Sequence, residues 1–178
     1  MLYLIIVFYT LFLLAFITWG ILYVLPFFFG APYVKSSDKR TKIVMKLLDP
    51  KKGEKIVDLG SGNGKILFEI AARGATAYGY EINPLLVWRT RWQAKRLGID
   101  KNVKVYWKSF WDVDLARFDK IFLYQITYVM PGLEKKLKSE LKPGTRIVSN
   151  YFKFPNMKPA KNDGDIYVYS STSTLKSK

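Results

Sequence analysis

The chain has 178 residues, 49% of them hydrophobic, with 29 Lys and Arg against 14 Asp and Glu, a formal charge of +15. One ordinary domain fits that length, and the apolar content excludes wholesale disorder. Cysteine and histidine are absent, which excludes disulfides, thiol nucleophiles, thiolate metal sites and an imidazole base, and no metal is expected.

Residues 1–34 carry no charged side chain, and 1–25 form an almost unbroken apolar run. About 20 such residues in a helix cross a bilayer core. A cleaved signal peptide is the alternative, but the run exceeds the usual apolar stretch of such peptides and no charged segment precedes it. The expectation is a retained transmembrane anchor over residues 1–30. Pro26 and Gly30 should end its helix, leaving Phe27, Phe28, Phe29 and Tyr33 at headgroup depth.

Lys35, Lys39, Arg40, Lys42 and Lys46 follow, opposed only by Asp38 and Asp49. The positive-inside rule then places the body on the cytoplasmic face of a single-pass protein. A prokaryotic plasma membrane is favoured over a mitochondrial inner membrane, because the chain is short and no Arg- and Ser-rich presequence is present. The whole basic excess lies on residues 35–178. A solvated surface beside anionic lipid is preferred over other partners, and without a recognisable nucleic-acid module no nucleic acid is expected.

Ser37 can cap a helix reaching residue 48, with Ile43, Val44, Leu47 and Leu48 as its apolar stripe. Strands are predicted over residues 55–59, 75–81, 103–107, 120–125, 146–151 and 166–170, and helices over 64–73, 84–98 and 133–141. Strands alternating with helices imply parallel pairing, right-handed crossovers and a doubly wound α/β sheet. The division expected is an anchor over residues 1–30, a connecting segment and helix over 31–53, a cofactor-binding domain over 54–172, and a disordered tail over 173–178.

In such a sheet the ligand lies outside the carboxyl ends of the strands. The first of these ends reads Asp58-Leu59-Gly60-Ser61-Gly62-Asn63-Gly64. Three glycines at alternate positions permit positive φ and close backbone approach to a ligand. A dinucleotide fingerprint would place its third glycine one residue later. Glu81 lies 23 residues beyond Asp58, at the end of the second strand, where a carboxylate can accept both ribose hydroxyls. After the third strand, Phe110 or Trp111 can pack on an adenine ring, or simply fill the core.

This spacing resembles motif I of the class I S-adenosylmethionine-dependent methyltransferases. More narrowly, residues 32–169 resemble the membrane-anchored protein-lysine methyltransferases, a family that includes the mitochondrial enzymes acting on the ATP synthase c subunit and on the adenine nucleotide translocase. The likeness is carried by Pro32-Tyr33-Val34 with Ser36-Ser37, by the glycine turn, and by Gly79-Tyr80-Glu81-Ile82-Asn83-Pro84. Residues 129–137, from Val129-Met130-Pro131-Gly132 to Leu137, and Phe152-Lys153-Phe154-Pro155 with Pro159 extend it. Asn63 stands where that family usually has Asp, Lys35 where it has Pro, and Leu85 where it has Trp.

The resemblance implies a Rossmann-like class I fold with S-adenosyl-L-methionine as cofactor and a segment at residues 32–37 folding over it. It implies binding by Asp58, Gly60, Gly62 and Glu81, and Tyr33, Ser36, Ser61, Asn63, Gly64 and Asn83 are expected at the cofactor with them. Methyl transfer from a sulfonium is an in-line displacement, so alignment and water exclusion matter more than acid–base groups. The residues placed to grip a substrate lysine lie beyond the fourth and fifth strands: Tyr124, Gln125, Thr127, Tyr128 and Asn150, with Tyr33 joining from the connecting segment. The implied partner is a membrane protein bearing that lysine, with the bilayer itself held through residues 1–30. Methylation of a lipid headgroup or quinol, and a cofactor-binding scaffold without turnover, remain alternatives.

Overall fold

A computed structural model of the chain describes residues 1–29 and 37–171, with the backbone alone at 22–29. Tyr33, Ser36, the rest of the connecting segment at 30–36, the aromatic side chains of 27–29 and the tail at 172–178 lie outside the described residues.

Helix α1 spans Leu2–Phe29. Its stretch Leu2–Ile21 is long and apolar enough to cross a bilayer, and none of it is buried against the rest of the chain. The helix passes Pro26 and reaches Phe29, so of the two residues expected to end it Pro26 does not, and the observed bound lies next to Gly30. Proline removes one N–H, a loss that a helix of 28 residues can absorb in its last turns.

Helix α2, Asp38–Leu48, begins where the sequence placed it: the Ser37 hydroxyl accepts from the Arg40 N–H at 3.3 Å, and Asp38 lies in the first turn. Asp49, in the left-handed conformation, closes it. The remaining elements are β1 (Lys55–Leu59), α3 (Lys65–Ala71), β2 (Thr76–Glu81), α4 (Pro84–Arg96), β3 (Val103–Trp107), a 3₁₀ turn at Phe110–Asp112, β4 (Lys120–Leu123), α5 (Met130–Glu140), β5 (Arg146–Asn150), β6 (Lys161–Asp163) and β7 (Ile166–Ser170).

The seven strands form one sheet in the order β3-β2-β1-β4-β5-β7-β6. Strands β1 to β5 pair in parallel, whereas β7 runs antiparallel to both β5 and β6. The parallel pairing inferred from the alternating pattern therefore fails at the last strand. A parallel return needs a crossover of a dozen or more residues, usually helical. No helix lies between β5 and β6, and the two-residue turn Gly164-Asp165 folds β6 back onto β7.

Side chains alternate across this sheet. Ile56, Phe122 and Val148 point into one core layer with Val44, Leu48, Leu67 and Ile70 from α2 and α3. Val57, Leu59, Ile121, Leu123 and Ile147 point into the other, packed with Met130, Leu133 and Leu137 of α5. The parity continues past the apolar residues, putting Asp58, Glu81 and Asn150 on the α2/α3 face. Strand order reverses between β1 and β4, which is where a doubly wound sheet opens its crevice.

Candidate active site

The chain leaves β1 through a turn built on positive φ at Gly60 (104°), Gly62 (52°) and Gly64 (78°). The turn is tied to the next strand: the Gly60 and Ser61 N–H groups both donate to the Tyr80 carbonyl, at 3.0 and 3.1 Å. A Cβ on Gly60 would meet the Gln125 amide at 2.9 Å, at a φ that other residues rarely adopt. Beneath the turn, Ser61 sits on Gly79, where a Cβ would come within 2.7 Å of its hydroxyl. Thr90 of α4 donates to the Gly62 carbonyl and packs against Gly64. Asn63 bonds locally, its side-chain oxygen accepting from the Lys65 N–H at 3.3 Å.

Glu81 closes the turn from β2. One carboxylate oxygen accepts from the Gly62 N–H at 2.9 Å and the other from the Asn83 N–H at 2.8 Å. A carboxylate has about four acceptor positions, which leaves room for two hydroxyl donors. The Asn83 side chain is itself the cap of α4, accepting from the Leu85 and Leu86 N–H groups.

Asp58, only 3% exposed, heads the turn with its Oδ1 lacking any hydrogen-bond partner. Burial, and secondarily the Glu81 charge, pushes its carboxyl well above the ordinary range. An uncompensated buried carboxylate calls for a cation. The other unpartnered buried side-chain atoms among the described residues are Ser61 Oγ, Gln125 Oε1 and Asn150 Nδ2. All four belong to the carboxyl ends of β1, β4 and β5 or to the loops just beyond them.

On the substrate side, β4 ends at Leu123, so Tyr124 and Gln125 leave the ladder two residues earlier than expected. The Gln125 amide donates to the Leu59 carbonyl, bridging β4 to β1 across the switch point. Tyr124 packs half-buried on the α2/α3 core layer, and Tyr128 and Thr127 are exposed. Asn150 is fully buried; its Oδ1 accepts from Arg40 of α2 at 2.9 Å. Phe110 lies in the α5-side core layer, while Trp111 is exposed against Gly132.

Thr90, Arg40 and Tyr151 were not anticipated. Thr90 was findable, being a polar residue on the buried stripe Val87, Thr90 and Ala94 of α4. Arg40 hid among the basic residues that follow the anchor. Tyr151, exposed at φ 79° just beyond β5, has its ring 5.5 Å from the Arg40 guanidinium, and nothing in the sequence marks a tyrosine for the left-handed region.

The residues fit S-adenosylmethionine. Asp58 offers an unpaired buried carboxylate for the ammonium group, the glycine turn admits the amino-acid moiety, and Glu81 keeps acceptor capacity for the ribose. The fold agrees: an RNA methyltransferase from Salinibacter ruber, solved with S-adenosyl-L-homocysteine, superposes with a TM-score of 0.73 at 27% identity, covering 77% of this chain and 93% of that one. Sheet order, glycine turn and paired acids thus define a class I methyltransferase fold.

Residues 58–161 match the ANTKMT methyltransferase domain, and the chain belongs to that family. It is 37% identical over 134 residues to the lysine N-methyltransferase of the ATP synthase c subunit from Rattus norvegicus, covering 75% of this chain and 62% of that protein. A protein-lysine N-methyltransferase of Saccharolobus islandicus is 27% identical over 148 residues, covering 78% of this chain and 92% of that one. The chain thus spans less than two thirds of the rat relative's length.

Proposed function

We propose that the chain is an S-adenosylmethionine-dependent protein-lysine N-methyltransferase, held at a membrane by α1 and acting on a membrane-associated protein. The observation that carries the reading is Asp58: a buried, unpaired carboxylate heading a glycine turn opposite Glu81, in a chain whose relatives are named as lysine methyltransferases. Residues 1–30 serve as the anchor, 31–53 as the connecting segment with α2, 54–172 as the catalytic body and 173–178 as the tail. The basic residues 35–46 support a body on the cytoplasmic face.

When bound, the cofactor supplies a methyl group on a sulfonium, open to in-line displacement by an amine. Asp58, once ionised, would hold the cofactor ammonium, and Glu81 would accept the ribose hydroxyls while keeping the turn closed through Gly62. Gln125 keeps its Oε1 unpartnered as an acceptor for the N–H of the incoming lysine, whereas the unpartnered atom of Asn150 is the donor Nδ2, its Oδ1 being taken by Arg40. The lysine must arrive neutral: at an ordinary pKa near 10.4 only about one in 2,500 is so at pH 7. The net positive charge of the chain opposes the protonated form and raises that fraction.

The test is methyl-labelled cofactor given to membranes with the full chain. Label in a protein band, lost with Glu81→Ala, is the expected result. Label confined to the organic extract supports a lipid or quinol acceptor, label in RNA the reading that the Salinibacter likeness and the +15 charge favour, and cofactor binding without transfer a scaffold.

A further inference from the structure

Helix α4 has two opposed faces. Val87, Thr90 and Ala94 are buried against the sheet. At 100° per residue, Leu85, Trp88, Arg89, Trp92 and Arg96 fall on the opposite side. There Leu85 is 53%, Trp88 67% and Trp92 49% exposed. The two indoles stack with centroids 6.4 Å apart and planes 12° from parallel, and the Arg96 guanidinium lies 4.7 Å over the Trp92 ring. The ledge continues onto β3, the edge strand, where Trp107 is exposed and its indole N–H is fixed by the Ile82 carbonyl at 3.0 Å.

A soluble surface rarely exposes aligned tryptophans without a use for them. Here aromatic rings with a polar N–H, accompanied by Arg89, Lys95 and Arg96 of the same helix and by Lys108 next to Trp107, combine apolar area with positive charge. Tryptophan favours the headgroup layer because its ring is apolar and its N–H wet. Arginine and lysine nearby add attraction for anionic lipid, about fivefold in affinity per cation. The same chain carries an apolar helix of spanning length.

We propose that the outer face of α4 and the adjoining end of β3 form a second lipid-contact surface, seated on the headgroup layer of an anionic bilayer. Contact along the stripe lays α4 in the plane of the interface. Its N-terminal end, with Leu85 and Trp107, belongs to the same end of the sheet as the glycine turn, so the crevice opens at the level of the bilayer surface. A lysine close to the membrane would then be within reach. The surface deepens the membrane-tethered reading and relies on it for the bilayer's presence, but its binding to lipid can be measured separately.

The chain contains no cysteine, so an environment-sensitive dye can be placed singly, through Leu85→Cys on the ledge, Leu11→Cys in α1 or Lys135→Cys on α5. The full chain is placed in nanodiscs of phosphatidylcholine with or without phosphatidylglycerol. The Leu85 dye should shift to the blue and become severalfold less accessible to an aqueous quencher when phosphatidylglycerol is present. The Lys135 dye should not change, and adding Trp88→Ser and Trp92→Ser should abolish the Leu85 effect with cofactor binding intact. A Leu85 dye that stays in water overturns the surface whatever the Leu11 dye reports. A Leu11 dye in water with a Leu85 dye in lipid overturns the anchor and leaves the surface standing. Protection by a single-stranded oligonucleotide but not by phosphatidylglycerol overturns it in favour of nucleic acid, and protection that grows with protein concentration in lipid-free micelles overturns it in favour of a second copy.

Discussion

Replacing Asp58 by Asn should move folding and binding in opposite directions. The side chain is buried, its Oδ1 has no partner, and burial followed by the Glu81 charge holds the carboxyl well above the ordinary range. A native acid with a raised pKa binds more protons than the same acid in the unfolded chain. The fold is therefore most stable below the unfolded-state pKa and loses that stability as pH climbs through the folded one. Asn keeps the shape and has no charge to bury. Wild type and variant should melt together in acid, and the variant should melt higher at neutral pH and above.

Asn keeps the unpartnered oxygen, so what it removes is the excess cost of burying a charge, of the same scale as an uncompensated polar group, about 1–3 kcal/mol. A chain of this size shifts its melting temperature by about 2–4 °C per kcal/mol, so a rise of about 2–12 °C is expected. Binding should fall, because a charge-assisted hydrogen bond worth about 1.5–3 kcal/mol is lost, or about 10- to 150-fold in Kd. In the wild type, affinity should increase with pH as Asp58 ionises. The assays are pH-resolved melts and calorimetric titration with S-adenosylmethionine, on the full chain in micelles. A variant that melts below wild type at every pH, or that binds the cofactor equally well, would refute the reasoning.

Three further substitutions probe the rest of the site. Glu81→Gln keeps one acceptor oxygen but loses the charge that meets Gly62 and Asn83; with the proposed ribose contact, cofactor affinity should drop about tenfold or more by the same titration. Gly79→Ala places a Cβ 2.6 Å from Leu67 and 2.7 Å from the Ser61 hydroxyl; overpacking of about 1–3 kcal/mol should lower the melting temperature and weaken cofactor binding together. Tyr151→Gly removes a side chain from φ 79° and should raise stability by about 1 kcal/mol. If the Tyr151 ring faces the substrate, methyl transfer falls while cofactor Kd holds, a split that kinetics and calorimetry resolve.

Much of the architecture could be read from local chemistry. The β1, β3 and β7 boundaries and the Ser37 cap match residue for residue, because each is set by an apolar run or a capping hydroxyl with no long-range competitor. The glycine turn was legible for the same reason, since alternate glycines have few uses other than positive φ. What escaped depends on distant partners. The antiparallel β7 follows from the missing crossover between residues 151 and 160, which an apolar run cannot report. Asn150 and Arg40 are 110 residues apart and meet only because α2 packs beside β5.

The central claim is that this crevice transfers methyl groups to lysine. Residue-level mass spectrometry of membrane proteins, from cells making the wild-type chain or its Glu81→Ala variant at equal abundance, tests it most directly. Methylated lysine is expected on at least one membrane protein with the wild-type chain, and unmodified lysine at that position with the variant. Identical lysine methylation in the two samples, with the wild-type chain folded and cofactor-bound, would contradict it.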